Sequence, residues 1–304
     1  MTAIPLSSIP QSRKESDVSD LLPIPFLPDV IIEPLVRLAL TEDFGRGGDI
    51  TTDAVIPGGA RMRAVMAARE GGVAAGYDAA RLALRLVDPE AVWTTLVQEG
   101  VPFAKGDALV RVEGSARSVL MAERVMLNFV GSLSGVATLT SRFVAEAKGT
   151  NAKVTCTRKT TPGFRALEKR AVRLGGGLNH RLGLDDAILI KDNHIAAAGG
   201  VATALKRARA AVGHLRAIEI EVDGLGQLRE ALPYRPDAVL LDNMSVAMLT
   251  EAVEIVGDIA KTEASGGVRL ETVKAIALTG VDYISAGALT HSAINLDVGL
   301  DFES

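Results

Sequence analysis

The chain has 304 residues, 48% of them hydrophobic and 4% aromatic, with a formal charge of -4 at pH 7. This length suits about two domains, or one barrel with an appendage, and the composition suits a soluble α/β protein cored by Ala, Val, Leu and Ile. The mild acidity excludes a general nucleic-acid binder with an extended basic face, and no apolar run reaches the roughly 18 residues of a membrane span.

In chain order, the first segment up to about Leu22 is interrupted by prolines and lacks the charged start and unbroken apolar stretch of a secretory signal. It reads as a disordered or loosely docked tail, residues 1–22. Asp29 to Leu40 has helical periodicity with Asp29 as its cap, and a polar loop follows from Glu42 to Thr52. Strands are expected over Arg61 to Glu70, Ala91 to Gln98 and Ala108 to Val112, with a helix between Gly76 and Val87. These elements make a small α/β sandwich. Ser115 to Lys148 is helical, with interruptions expected near Gly131 and Gly135.

From there strand-like runs alternate with amphipathic helical stretches. The runs start at Lys153, Ala187, Ala217, Ala238, Asp258 and Asp282. Apolar strands alternating with helices imply a parallel sheet covered on its faces. Six units suit an α/β barrel, complete or open, and the doubly wound sheet is the competing topology. The expected division is a sandwich over 23–126, a barrel over 127–288 and a tail over 289–304 that packs back on the sandwich.

Each strand of the second series ends in polar residues. They are Arg158 and Lys159, then Lys191, Asp192 and Asn193, then Glu221 and Asp223, then Asp242 and Asn243, then Ser265, Gly266 and Gly267, and last Ser285, Ala286 and Gly287. In a parallel barrel these carboxyl ends share one face, where an active site belongs. Charge points the same way. From Lys153 to Arg181 there are eight cations and a single carboxylate, Glu168, in a chain that is anionic overall. Such an island focuses a small anion. Arg165, Lys169, Arg170 and Arg173, on the intervening helix, are read as tuning this field or facing a partner subunit.

The loops Ala264–Val268 and Ile284–Ser292 place small residues between a strand and a helix, the form of a phosphate cradle. Glu221 and Asp242 face the same mouth. They fit either Mg²⁺ shared with substrate oxygens or structural ion pairs with Lys159 or Lys191. His180 is a candidate ligand contact, His194 a residue that caps or orients the loop after Lys191, and His214 a solvent-facing residue. Cys156, the only cysteine, is read as a small buried hydrophobe. With one cysteine no intrachain disulfide is possible, which suits a cytoplasmic location.

On the strings AERVMLNF (Ala122 to Phe129), TRKTTPGFR (Thr157 to Arg165), GGGLNHR (Gly175 to Arg181), LIKDNH (Leu189 to His194), EIEVD (Glu219 to Asp223), LLDN (Leu240 to Asn243), EASGGV (Glu263 to Val268) and GALTHSA (Gly287 to Ala293), the chain resembles the quinolinate phosphoribosyltransferases. The resemblance runs from about Leu22 to Phe302. It departs from the family at Cys156 and in the first twenty residues.

The resemblance implies an N-terminal α/β sandwich, an open α/β barrel and a homodimer with shared sites. It implies phosphoribosyl transfer from phosphoribosyl pyrophosphate to quinolinate, with loss of CO₂. Arg158, Lys159, His180, Arg181 and Lys191, with Arg124 from the second subunit, match the quinolinate site. Lys159, Lys191, Glu221, Asp242, Ser265, Gly266, Gly267, Ser285, Ala286 and Gly287 match the phosphoribosyl pyrophosphate site, with Mg²⁺ near Glu221 and Asp242. Lys159, Lys191, Glu221 and Asp242 carry the expected catalytic roles. Three other readings stay open: a paralogue with another substrate, a Schiff-base lyase using Lys159 or Lys191, and a non-catalytic dicarboxylate sensor.

Overall fold

The computed structural model describes residues 24–303. The expectation of a tail over 1–22 lies outside the described residues. The first half contains α1 (Asp29–Phe44), α2 (Ile50–Val55), β1 (Arg61–Ala68), β2 (Gly72–Val73), α3 (Tyr77–Val87), β3 (Val92–Thr95), β4 (Pro102–Phe103), β5 (Ala108–Ser115) and α4 (Ala116–Glu146). The second contains β6 (Lys153–Thr155), α5 (Arg165–Leu174), β7 (Ile188–Ile190), α6 (Asp192–Ala198), α7 (Val201–Ala211), β8 (Ile218–Val222) and α8 (Leu225–Ala231). It continues with β9 (Ala238–Asp242), α9 (Val246–Val256), β10 (Lys261–Ser265), α10 (Leu270–Ala277), β11 (Tyr283–Ser285), α11 (Ala288–His291) and β12 (Val298–Glu303).

The first half forms an antiparallel four-stranded sheet in the order β12-β1-β5-β3, with a two-stranded β2-β4 pair beside it. β12 arrives from the end of the chain to pair with β1, from Arg63 against Glu303 to Ala68 against Val298. The pairing is laced by ion pairs from Arg69 to Asp301 and from Arg111 to Glu303. The apolar face of α3, with Leu82 and Leu84 fully buried, packs against α4.

The second half is a six-stranded parallel sheet in the order β6-β11-β10-β9-β8-β7. That is the cyclic order of a barrel with one seam left open, between β6 and β7, and it decides between the two topologies. Beside the seam the chain at Leu178 pairs with β6: the Leu178 amide donates to Val154 (2.8 Å) and the Leu178 carbonyl accepts from Cys156 (3.2 Å). Ile218, Ile220, Val239, Leu241 and Ile284 are fully buried in the strands, as expected where helices cover a parallel sheet.

Three local expectations are corrected. Asp29 does not cap α1; Pro28 holds that position and Asp29 sits in the first turn, ion-paired with Arg85. The loop expected from Glu42 to Thr52 is shorter, because α1 runs to Phe44 and the Asp49 side chain caps α2 through the Thr52 amide (2.9 Å). Helix α4 is continuous over 31 residues through Gly131 and Gly135. Its glycines serve packing: a Cβ at Gly131 would lie 2.7 Å from the Leu296 carbonyl oxygen, and one at Gly135 would collide with that of Ile294. They let the segment leading to β12 cross the helix in close contact.

α4 touches β1, β5 and β12 as well as β6, α5, α10 and α11, so the division drawn at 126/127 runs through an element common to both sheets. By length and composition this helix is also apolar enough to cross a membrane, contrary to the reading of the apolar runs. Within its apolar window 67% of the residues are buried in the protein, which makes it a core helix.

α5 is tied to the first half by a buried bridge. Arg170 reaches Asp78 (3.1 Å) and Glu99 (2.8 Å), with all three side chains at most 6% exposed, and its Nε donates to the Pro25 carbonyl. Arg170 is thus a structural cation and not a field-tuning surface charge.

Candidate active site

The carboxyl ends of the parallel strands surround a cleft of about 490 Å³. Parallel strands leave one end with all side-chain-bearing loops pointing the same way, so residues distant in sequence converge. Arg158, Lys159, His180, Arg181, Lys191, Glu221, Asp242, Ser265, Gly266, Gly267 and Ser285 line the cleft, together with Thr157, Leu189, Leu240, Asn243 and Glu263.

Three expected residues lie outside this lining. Ala286 is buried in the core, Gly287 packs against the stem of Lys159 and precedes the single-turn α11, and Arg124 is exposed on α4. At this end of the sheet β11 therefore gives the cleft only Ser285, its last residue, and the loop after it gives none. The loop after β10 is the fuller cradle: Gly266 and Gly267 both adopt left-handed backbone, at φ 88° and 61°, and lead to the eight-residue α10. Consecutive glycines of this kind turn their N–H groups toward an anion. A Cβ at Gly266 would meet the Asn243 side chain and lie 2.8 Å from its backbone nitrogen.

The cationic wall is built on Arg158 and Arg181. The Nε of each is buried without a hydrogen-bond partner among the described residues. Burial, and then the neighbouring Arg158 charge, hold the Arg181 guanidinium below its ordinary pKa. Two desolvated like charges side by side are unfavourable until an anion joins them.

In the same cleft, Glu221 is ion-paired with Lys191, and Asp242 accepts from the Asn243 side-chain amide (2.6 Å). Of the two readings of Glu221, the structural ion pair with Lys191 is therefore present. A lysine held by a carboxylate is also poorly disposed to attack a carbonyl, which weighs against a Schiff base at Lys191.

His180 sits deeper than a simple ligand contact. Its Nε2 lies 2.9 Å from Glu219 and 3.7 Å from Glu263, and its Nδ1 accepts from the Arg181 amide (2.8 Å). Burial pushes the imidazole pKa down, but the Glu219 hydrogen bond and the Glu263 and Glu219 charges outweigh it and leave the pKa above its usual value. The amide contact opposes protonation of Nδ1, since a backbone N–H only donates. For Glu263, burial first and the Glu219 charge second push the carboxyl up to about 7.

Lys169 is buried too, not on the outer face of α5. Its Nζ donates to the His180 carbonyl (2.8 Å) and to the Cys156 sulfur (3.1 Å). Cys156 is fully buried as expected, but in polar contact, its thiol donating to Asn179 (3.3 Å). His194 orients the start of α6, accepting from the Lys191 amide (2.9 Å), and His214 is exposed.

Glu219 and Glu263 received no role from the sequence. The signal was there: the two-residue period of a strand puts Glu219 on the same face as Glu221, and Glu263 on that of Ser265.

Residues 136–301 match the quinolinate phosphoribosyl transferase C-terminal domain, and residues 49–134 the N-terminal domain of the same family. The chain is 48% identical over 271 residues to a nicotinate-nucleotide pyrophosphorylase (carboxylating) of Mycobacterium leprae, covering 88% of this chain and 95% of that protein. It is 41% identical over 298 residues to a mitochondrial quinolinate phosphoribosyltransferase (decarboxylating) of Nicotiana tabacum, covering 92% and 84%. Among solved structures, the nicotinate-nucleotide pyrophosphorylase of Francisella tularensis superposes with a TM-score of 0.86 at 37% identity, over 92% of this chain and 99% of that one. With both family domains matched in order along one chain, and the cleft built from their strand ends, the protein belongs to the quinolinate phosphoribosyl transferase family.

Proposed function

We infer that the chain transfers the phosphoribosyl group of 5-phosphoribosyl 1-pyrophosphate to quinolinate and releases CO₂, giving nicotinate mononucleotide for NAD biosynthesis. The observation that carries this reading is the pair of buried, unpartnered guanidinium nitrogens of Arg158 and Arg181 in one cleft. A planar dicarboxylate supplies the acceptor oxygens they lack, and the guanidinium fork suits a carboxylate.

Lys159 and Lys191 add charge where a dianion and a polyanion must meet, which is repulsive in a low-dielectric cleft unless fixed cations offset it. The Gly266–Gly267 turn offers backbone N–H groups to the 5′-phosphate. The pyridine nitrogen attacks the anomeric carbon while the bond to pyrophosphate breaks. The C2–carboxylate bond then breaks, its electron pair stays on C2 beside the quaternised nitrogen, and a proton from water completes the product. No side-chain nucleophile is needed, so the protein contributes alignment and preorganised charge.

Mg²⁺ fits the donor set. Glu221 and Asp242 are half-buried carboxylates at adjacent strand ends, hard oxygen ligands of the kind that ion shares with phosphate oxygens. They would hold it directly or through water, and the ion would neutralise charge on the departing pyrophosphate.

Arg124, exposed on α4 of one copy, is proposed to enter the cleft of a second, which makes the working unit a homodimer. The single, buried cysteine suits a reducing cytoplasm.

The test is incubation with quinolinate, phosphoribosyl pyrophosphate and Mg²⁺, with nicotinate mononucleotide and CO₂ measured. Equimolar appearance of both supports the assignment. Absence of product overturns it.

A further inference from the structure

Family resemblance puts His180 among the residues around the quinolinate carboxylates, yet both of its ring nitrogens are already engaged inside the protein. The Arg181 amide is 2.8 Å from Nδ1 and can only donate, so Nδ1 carries no proton. The proton is therefore on Nε2, which lies 2.9 Å from the Glu219 carboxylate. Glu263, 95% buried, presents an unpartnered oxygen 3.7 Å away on the same side. No ring N–H remains to point at a substrate.

The main chain at His180 is held from the other side. Lys169 Nζ donates to the His180 carbonyl at 2.8 Å, from a side chain that is 2% exposed and forms no ion pair among the described residues. Two residues upstream, Leu178 is stitched to β6 by two backbone hydrogen bonds. One step downstream, the Arg181 guanidinium donates to the Ala187 carbonyl at 3.1 Å. The segment at the open seam, where no strand ladder fixes the backbone, is thus secured at each residue that matters for Arg181.

Burying an ammonium, an imidazole and two carboxylates is a poor route to stability, but it fixes geometry where a sheet does not. We propose that His180 is a positioning residue: Glu219 and Lys169 lock its ring and its main chain, and the locked ring holds the Arg181 amide so that the guanidinium meets the dicarboxylate in register with Arg158. This rests on the quinolinate reading above.

Steady-state kinetics of Glu219→Ala and Glu219→Gln test it. Glu219→Ala removes the acceptor for Nε2–H and should raise KM for quinolinate about tenfold or more, with KM for phosphoribosyl pyrophosphate changed less than about twofold. Glu219→Gln keeps an acceptor oxygen and should restore most of the loss. Equal damage from both variants, or equal rises in both KM values, would overturn the proposal.

Imidazole ¹⁵N spectra of the wild-type enzyme, with the His180 signal assigned by its loss in His180→Asn, give a second measure. Recorded at a pH above the raised imidazole pKa, they should show the neutral Nε2–H form both free and saturated with quinolinate. An Nδ1–H or doubly protonated ring in either state sinks the idea. The spectrum of the free enzyme tests the lock even if quinolinate proves not to bind, whereas failure of quinolinate to bind the wild type, read by calorimetry, counts against the function.

Discussion

Arg158 and Arg181 stand side by side in the cleft, each with a buried Nε that nothing among the described residues satisfies, and burial first and the Arg158 charge second lower the pKa of Arg181. Folding alone does not favour this arrangement. It becomes favourable when a dianion fills the space, which is how a site trades stability for binding.

Arg158→Ala should therefore lower kcat/KM for quinolinate by about 10²-fold or more, the scale of a lost fixed-charge stabiliser. Its melting temperature should be unchanged or slightly higher, because a like-charge neighbour is relieved. Arg158→Lys should recover only part of the activity, since an ammonium lacks the planar fork. Kinetics and thermal unfolding of the same preparations check both halves. A variant that loses activity and stability together would make Arg158 a structural residue.

Gly266→Ala tests the anion cradle. The position requires φ of 88°, and the added methyl would strike Asn243. Left-handed backbone in a non-glycine residue costs roughly 1–2 kcal/mol, and the clash adds to it. The expected outcome is a rise in KM for phosphoribosyl pyrophosphate of about tenfold or more, with quinolinate binding little changed. An unaltered KM would remove the β10–α10 loop from the phosphate site.

The parallel sheet and most of the cleft were legible because strand ends carry their own chemistry: Lys191 and Asp242 each follow an apolar run, and Arg158 and Glu221 stand at the ends of strand-like segments. Burial of individual cations was not legible. Lys169 and Arg170 are neighbours on an amphipathic helix, and nothing local says that one supports the His180 carbonyl while the other bridges Asp78 and Glu99. Those partners lie 11 to 92 residues away in sequence, so only tertiary packing assigns them. The glycines of α4 misled for a related reason. Gly131 and Gly135 are weak helix formers, but the carbonyls of Leu296 and Ile294 press against them from a distant segment, and close packing won over propensity.

Arg170→Ala probes that packing. It leaves Asp78 and Glu99 buried beside one another without a counter-charge. Breaking a buried pair by removing one partner costs about 3–5 kcal/mol. The urea midpoint should fall accordingly, while KM for both substrates of the folded fraction stays near normal. Wild-type stability in this variant would show that the bridge contributes nothing net.

Glu263 gives a pH signature. Its carboxyl titrates near 7 in the folded protein against an ordinary 4.5, so between those values the folded state holds a proton that the unfolded state has released. Stability then decreases as pH rises across the window, because the native state binds more protons there. The contribution is fully present below the unfolded value and is lost once pH passes the folded one. His180, whose pKa is also raised, gives a slope of the same sign, lost as pH rises through its own folded value, so wild-type data alone do not separate the two. Glu263→Gln separates them, since it keeps the shape and cannot ionise. The variant should match the wild type near pH 4.5 and exceed it above about pH 7, with urea unfolding measured across the range. A difference between the two proteins that does not vary with pH would mean that Glu263 titrates as an ordinary carboxyl, and that the charge beside Glu219 and His180 is balanced in some other way.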